Sequence, residues 1–127
     1  MFPVHENESG SFQELAHSND VVFGQLSILS IRPGFTRGGH YHTRKKEWFC
    51  CIHGHCIIKI INIKNGEEKE IRLNGKKRQF LKIKPYEKHW VKNIGKDVCE
   101  LLIIISEEYD KKDPDTFTDD GENEKNE

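Results

Sequence analysis

The sequence predicts an all-β domain, most simply a double-sheet jelly roll. Short β-branched and aromatic runs recur along the chain, with Gly, Pro and Asn punctuating them at close intervals. No long apolar stripe with a 3.6-residue period occurs before residue 106. Many short strands joined by tight turns close most readily into a sandwich or barrel.

Taken in order, the strand-like runs are Phe12–Ala16, Val21–Ile31, Glu47–Ile52, Cys56–Ile63, Glu68–Leu73, Arg78–Ile83, Trp90–Asn93 and Cys99–Ser106. Turn signals separate them at Arg32-Pro33-Gly34, Arg37-Gly38-Gly39, His53-Gly54, Asn65-Gly66, Asn74-Gly75 and Ile94-Gly95. Asn65-Gly66, set between two strand-like runs, predicts a type I′ hairpin. From Asp110 the composition changes to DKKDPDTFTDDGENEKNE, which is polar and mostly acidic. The expected organisation is therefore a barrel over residues 1–109 and a partly or wholly disordered tail over 110–127.

Composition excludes several classes of function. A chain of 127 residues suits one domain with one modest core. Its 20 basic and 21 acidic residues nearly cancel, so no basic face for nucleic acid is expected. Mean hydropathy is -0.75, and no apolar run approaches the ~20 residues of a membrane span. The opening MFPVHENESG has no basic segment leading into an apolar one, which makes the cytoplasm the expected location. Cys50, Cys51, Cys56 and Cys99 form no CxxC pair and lie in apolar runs, so they read as buried, reduced thiols. Cys50 and Cys51, being adjacent, should point to opposite faces of a strand.

The chemistry concentrates in Gly34–Gly54. His40 and His42 are two apart, so an extended strand projects both rings from one face. Glu47 has the wrong parity for the same unbroken strand, but a bend over the polar Thr43–Lys46 segment can return it to the same cavity. His89 begins a later run, with Asn93 four residues on. Three imidazoles and a carboxylate suit Zn, Fe, Mn, Ni or Co and do not suit Ca or Mg. A lone HxH in a hairpin is ordinarily surface histidine; the added spacing makes His40, His42, Glu47 and His89 a candidate divalent-metal set. Such a metal polarises a substrate oxygen only if it keeps or frees a coordination position.

The pattern G-x5-HxH-x4-E-x6-G followed by HxxxN resembles the two cupin motifs. In the second motif Lys84 and Tyr86 replace the usual Pro and Gly, while His89 and Asn93 are kept. Gly10-Ser11-Phe12-x-Glu14, Pro33-Gly34-x-Thr36-Arg37-Gly38-Gly39-His40-x-His42, Lys45-x-Glu47-x-Phe49 and Asp113-Pro114-Asp115-Thr116 follow in sequence. Together, over roughly residues 8–117, they resemble the C-terminal cupin domain of capsular-polysaccharide enzymes that make UDP-N-acetyl-L-fucosamine precursors. That resemblance implies a cupin barrel and a zinc-dependent epimerase of a nucleotide-linked 4-keto sugar. It also implies a homodimer and metal binding by His40, His42, Glu47 and His89. The sequence contains no GxGxxG, so a reductase step is expected from a separate chain. Glu87 stands where that family commonly has a tyrosine. The segment Arg37-Gly38-Gly39-His40-x-His42 also resembles the dTDP-sugar 3,4-ketoisomerases, small cupins in which an HxH pair shuttles protons without a metal. Glu47 and His89 distinguish the two readings, since the metal-free chemistry has no need of them.

Both chemistries take a proton from the carbon beside a sugar ketone and return it elsewhere. A metal-bound histidine cannot also be the base, so His42 fills that role only without metal. Tyr41, Tyr86, Glu87 and His53 are the alternatives, with Tyr86 preferred for its place beside His89. Arg37 is the candidate contact for the nucleotide diphosphate, because a guanidinium fork suits phosphate oxygens, and Lys45 and Lys46 could assist. Trp48 should leave the metal face. A non-metal role for the site, another metal-cupin enzyme such as an iron dioxygenase, and a non-catalytic sugar-binding cupin remain as other readings of the same barrel.

Overall fold

The computed structural model describes residues 1–118. They form ten strands: β1 (Val4–Asn7), β2 (Gly10–Gln13), β3 (Gln25–Ile31), β4 (Thr36–His40), β5 (Glu47–His53), β6 (His55–Asn62), β7 (Glu68–Asn74), β8 (Leu81–Ile83), β9 (Glu87–Asn93) and β10 (Cys99–Ile105). No α-helix occurs among the described residues, and none is long and apolar enough to cross a membrane. An N-terminal hairpin pairs β1 with β2, and two four-stranded sheets run in the orders β3-β10-β5-β8 and β4-β9-β6-β7. Every pairing is antiparallel. This is the expected jelly roll.

The core lies between the two larger sheets and follows strand alternation. Inward positions are Phe49 and Cys51 on β5, Cys56, Ile58 and Ile60 on β6, Val91 on β9, and Cys99, Leu101, Ile103 and Ile105 on β10. Register then orders the interior from one barrel end to the other. Glu47 pairs with Ile83 and Ile105, Phe49 faces Ile103, and Cys51 faces Leu101. On the opposite sheet Ile60 faces His89, Ile58 faces Val91, and Cys56 faces Asn93. One end of the barrel is therefore polar, the middle is aromatic and aliphatic, and the far end carries thiols.

The thiols are free and buried, as the sequence suggests. Cys50 falls on the other face of β5 from Cys51 and is absent from the inner core. Burial first, then the neighbouring Cys51, pushes the Cys50 thiol up to about 11. Cys51 behaves in the opposite way, because a hydrogen bond from Cys56 draws it down to about 7 against its burial.

Several element bounds differ from those the sequence suggests. β4 has the sequence TRGGH, with no apolar run to announce it; its backbone pairs with β9 all the same. Residues 21–24 lead into β3 without joining it, and Phe23 stays exposed. The Asn65-Gly66 hairpin exists, but only Gly66 takes positive φ (78°). Type I′ needs it at both central residues. Instead Gly66 N–H closes onto Asn62 O at 2.8 Å, and the Asn62 side chain accepts from the backbone of Lys64 and Asn65.

The boundary placed at residue 109 requires correction. Pro114, Asp115 and Thr116 are buried, and Phe117 forms a backbone bridge with Tyr41 through hydrogen bonds of 3.0 Å in both directions. A polar composition is compatible with this burial because the polar atoms find partners inside the fold. The rest of the expected tail, 119–127, lies outside the described residues.

Candidate active site

Polar side chains from three segments meet at one end of the barrel. Glu47 begins β5, His89 lies near the start of β9, and His42 follows just beyond β4. A chain reversal over Thr43–Lys46 brings Glu47 back beneath His42. The Asp115 carboxylate holds that reversal by accepting from Thr43 N–H (3.0 Å), Thr43 Oγ1–H (2.5 Å), Arg44 N–H (2.9 Å) and Lys45 N–H (3.0 Å). Burial opposes its charge, yet these donors, led by Thr43, keep the Asp115 carboxyl below its ordinary value. Asp115 has φ 47°, a left-handed conformation that aspartate tolerates better than most residues.

Two glycines set the opposite wall. The β4–β9 register shifts between Gly38 and His40, leaving Gly39 as the extra residue of a bulge. Gly38 has φ 114°, and a Cβ there would lie 2.6 Å from His89 O. Only glycine permits this approach, which seats His40 directly across from His89.

Glu47 Oε1 is the centre of the cluster. It lies 2.6 Å from His42 Nε2 and 3.2 Å from His89 Nε2. His42 Nδ1 donates to Asp115 O at 2.6 Å, and His89 Nδ1 donates to Glu87 O at 2.8 Å. Carbonyl oxygens accept only, so both rings carry a proton on Nδ1. Each Nε2 then faces the carboxylate either protonated, as an imidazolium, or with its lone pair turned toward a cation. Burial alone would raise the Glu47 carboxyl, but His89 and His42 hold it well below the usual carboxylate range. His42 is the converse: burial disfavours its charge, and the Glu47 hydrogen bond overcomes burial to raise its pKa above 6.5.

The same atoms test whether a divalent cation fits. His42, Glu47 and His89 bring their ligand atoms within 4.8 Å of one another. Donors bound at 2.0–2.2 Å around a tetrahedral ion stand about 3.3 Å apart. The His89–Glu47 spacing matches, and His42 would have to withdraw by about 0.7 Å. Anchoring both Nδ1–H groups on carbonyls is the support that metal-bound histidines ordinarily have. The donor set therefore fits a cation, through three ligands. His40 lines the same cavity but does not bring a ring nitrogen within 4.8 Å of all three.

The cavity has a volume of about 540 Å³, within the range of small-ligand sites. Arg37, His40, His42, Glu47 and His89 are its titratable lining residues, and Thr116 and Phe49 complete the wall around the cluster. The Phe49 ring meets His89 edge-on at 5.5 Å. Arg37 stands exposed on β4, free to reach a ligand at the mouth.

Other residues singled out in the sequence lie elsewhere. Lys45 is 1% exposed and does not line the cavity; its ammonium sits 5.9 Å from the Tyr109 ring centre. Its backbone is fastened to Asp115, so its side chain is turned into the fold under the C-terminal segment. Tyr86 also stays off the lining, at φ 66°, stacked 6.5 Å from Tyr41 with the Lys64 ammonium 3.8 Å above its ring. Its N–H donates to His42 O at 2.7 Å, which makes it a support for the His42 segment. Tyr41, Glu87 and His53 are likewise absent from the lining, and Glu87 accepts from Lys84 N–H at 2.8 Å. Trp48 leaves the cavity face as expected. Asp115 is the positioning residue that spacing rules passed over; its signal was the Asp113–Thr116 segment.

A small jelly-roll barrel with a histidine–carboxylate cluster at one end defines a cupin. The chain belongs to the family described as the polysaccharide biosynthesis C-terminal domain, whose pattern matches residues 5–117. A curated relative, the UDP-2-acetamido-2,6-beta-L-arabino-hexul-4-ose reductase of Pseudomonas aeruginosa, is 36% identical over 115 residues. That match covers 91% of this chain and 30% of the relative. The capsular polysaccharide assembling protein CapF of Staphylococcus aureus superposes with TM-score 0.73 at 26% identity, over 93% of this chain and 34% of that one. This chain thus spans about a third of the length of these two proteins. The sugar 3,4-ketoisomerase QdtA of Thermoanaerobacterium thermosaccharolyticum, solved with TDP, shares the fold at TM-score 0.75 and 24% identity, covering 91% of this chain and 82% of that one.

Proposed function

We propose that this protein is an epimerase or isomerase of a nucleotide-linked 4-keto sugar in surface polysaccharide biosynthesis. The observation that carries this reading is the buried His42–Glu47–His89 cluster, set in a cavity of sugar size with Arg37 at its mouth. Membership of the polysaccharide biosynthesis family supports the substrate class.

His42, Glu47 and His89 would hold the divalent cation, zinc first among the candidates. When bound, it supplies Lewis-acid stabilisation of the oxyanion that develops on the ketone oxygen. His40 is then the lining histidine left to move a proton. It takes the proton from the carbon beside the ketone, and the bonding electrons pass into the enolate. For epimerisation a proton returns to the same carbon on the other face; for isomerisation it returns to the former ketone carbon while the neighbouring hydroxyl gives its proton to the former ketone oxygen. Arg37 binds the diphosphate through its guanidinium fork. Phe49, Val91 and Ile103 line the cavity floor and keep water from the reacting carbon.

One observation favours a second reading. The 2.6 Å contact between His42 and Glu47, with His42 raised and Glu47 lowered, is also a charged pair able to store and release a proton. In that case His42 is the proton carrier and the enzyme is a ketoisomerase that works without a metal. The protein would act as a homodimer in the cytoplasm, with any reductase step performed by a separate domain or chain.

The test is solvent exchange. Incubation with a UDP- or dTDP-4-keto sugar in deuterated water should place deuterium on the carbon beside the ketone. No exchange with either sugar, in zinc-replete protein, would refute the proposal. Elemental analysis separates the two readings: one zinc per chain, lost in His89→Ala, supports the metal-dependent form, and active metal-free protein supports the other.

A further inference from the structure

The far end of the barrel holds a second group of ligand-type side chains. Cys51 on β5, Cys56 on β6 and Cys99 on β10 bring their sulfurs within 4.8 Å of one another, and Cys51 Sγ lies 3.8 Å from Cys99 Sγ. All three are at most 2% exposed. Among the described residues, this is the one group besides the histidine–carboxylate cluster that meets the spacing of a metal site. Cys51 and Glu47 lie on the same face of β5, four residues apart, so roughly 13 Å and the Phe49 ring separate the two clusters.

We propose that Cys51, Cys56 and Cys99 form a second metal site, for a thiophilic d10 cation of the zinc type. Geometry comes first: sulfurs bound at about 2.3 Å around such an ion stand about 3.8 Å apart, as Cys51 and Cys99 do. Chemistry follows, since thiolates select zinc, cadmium and monovalent copper over harder ions. The topology also matters. Three strands from two different sheets each place a buried cysteine at the same end of the barrel. The turn between β5 and β6 closes over the sulfurs, and Gly54 makes that closure possible. A Cβ at Gly54 would come within 3.0 Å of Cys99 Cα, and φ there is 87°. Cys51 Sγ already points toward the Gly54 carbonyl at 3.6 Å. Entry therefore requires that turn to lift, and the exposed His53 and His55 beside Gly54 provide ligands on the way in.

Binding is a proton exchange. Each thiol that ligates as thiolate releases its proton to solvent, so two thiolates and one thiol leave a divalent site neutral and release about two protons per cation. A neutral site avoids the cost of a buried net charge.

The experiment titrates reduced, chelator-stripped protein with Cd2+ alone and follows the ultraviolet thiolate-to-cadmium charge-transfer absorption, which imidazole and carboxylate ligands do not produce. Wild-type protein and Glu47→Gln should both reach full absorption at one equivalent, which separates this site from the histidine cluster. Cys50→Val should match wild type, because Cys50 points to the other face. Cys51→Val, Cys56→Val and Cys99→Val should each lose at least about tenfold in cadmium affinity. Absence of the absorption in wild-type protein, or its persistence in all three variants, overturns the proposal. If a core variant does not fold, cadmium X-ray absorption on the Glu47→Gln protein decides: a sulfur shell supports the site, and a nitrogen–oxygen shell overturns it.

Discussion

Replacing Asp115 by alanine isolates the contact that shapes the active-site end of the barrel. Its carboxylate receives four hydrogen bonds from Thr43, Arg44 and Lys45 at 2.5–3.0 Å. Hydrogen bonds to a charged acceptor contribute about 1.5–3 kcal/mol each. Arg44 is exposed and water can replace part of what is lost, so about 1 kcal/mol per donor is the appropriate scale here. Asp115→Ala should therefore cost about 3–4 kcal/mol and lower Tm by roughly 10–15 °C. Asp115→Asn keeps one acceptor but turns an NH2 group toward the donors, so about half that cost is expected. Urea unfolding at neutral pH measures both values, provided the m-value stays constant. A loss below about 0.5 kcal/mol for Asp115→Ala would refute the idea that this carboxylate anchors the reversal carrying Glu47.

The remaining predictions concern charge and the cavity rim. In chelator-treated protein, His42 contributes stability below its ordinary 6.5, and that contribution is lost as pH rises through its raised folded value. Glu47 contributes above its ordinary 4.5, and that contribution is lost as pH falls toward its depressed folded value. Thermal melts should thus peak between about pH 5 and 6.5, and Glu47→Gln should flatten the decline above that window. Arg37→Ala should raise KM for the nucleotide sugar by roughly 10–100-fold with a smaller change in kcat, while Arg37→Lys restores part of the loss; an unchanged KM would remove Arg37 from the diphosphate site. Lys45→Met should leave KM unchanged and hold stability within about 1 kcal/mol or improve it, because the buried ammonium lies outside the cavity.

Much of the molecule is readable from one strand of text, for a physical reason. Alternation along β5, β6 and β10 is strong because each strand has one face in the core, and β-branched residues mark it. The HxH spacing of His40 and His42 is a local property of a strand and is legible in sequence. The structure, in contrast, groups His42 with Glu47 and the distant His89 and leaves His40 on the cavity lining. What local pattern omits is what other segments do. Lys45 looks like a solvated loop charge until the segment that reaches Asp115 buries it. Residues 113–117 look like disordered tail because their stabilisation comes from donors on a loop some seventy positions earlier. Tyr86 appears poised beside His89, but its left-handed backbone turns the ring away toward Tyr41 and Lys64. The three thiols are unremarkable one at a time, and only the strand register brings them together.

The central claim is that proton transfer beside the sugar ketone depends on the Glu47-centred cluster, in either reading. The direct measurement is the rate of deuterium entry beside the ketone of a nucleotide-linked 4-keto sugar, for wild-type protein against Glu47→Gln with its fold checked by circular dichroism. A loss of about 10²-fold or more is expected, the scale of a positioned acid–base or electrostatic group. Exchange in Glu47→Gln at the wild-type rate would contradict the account.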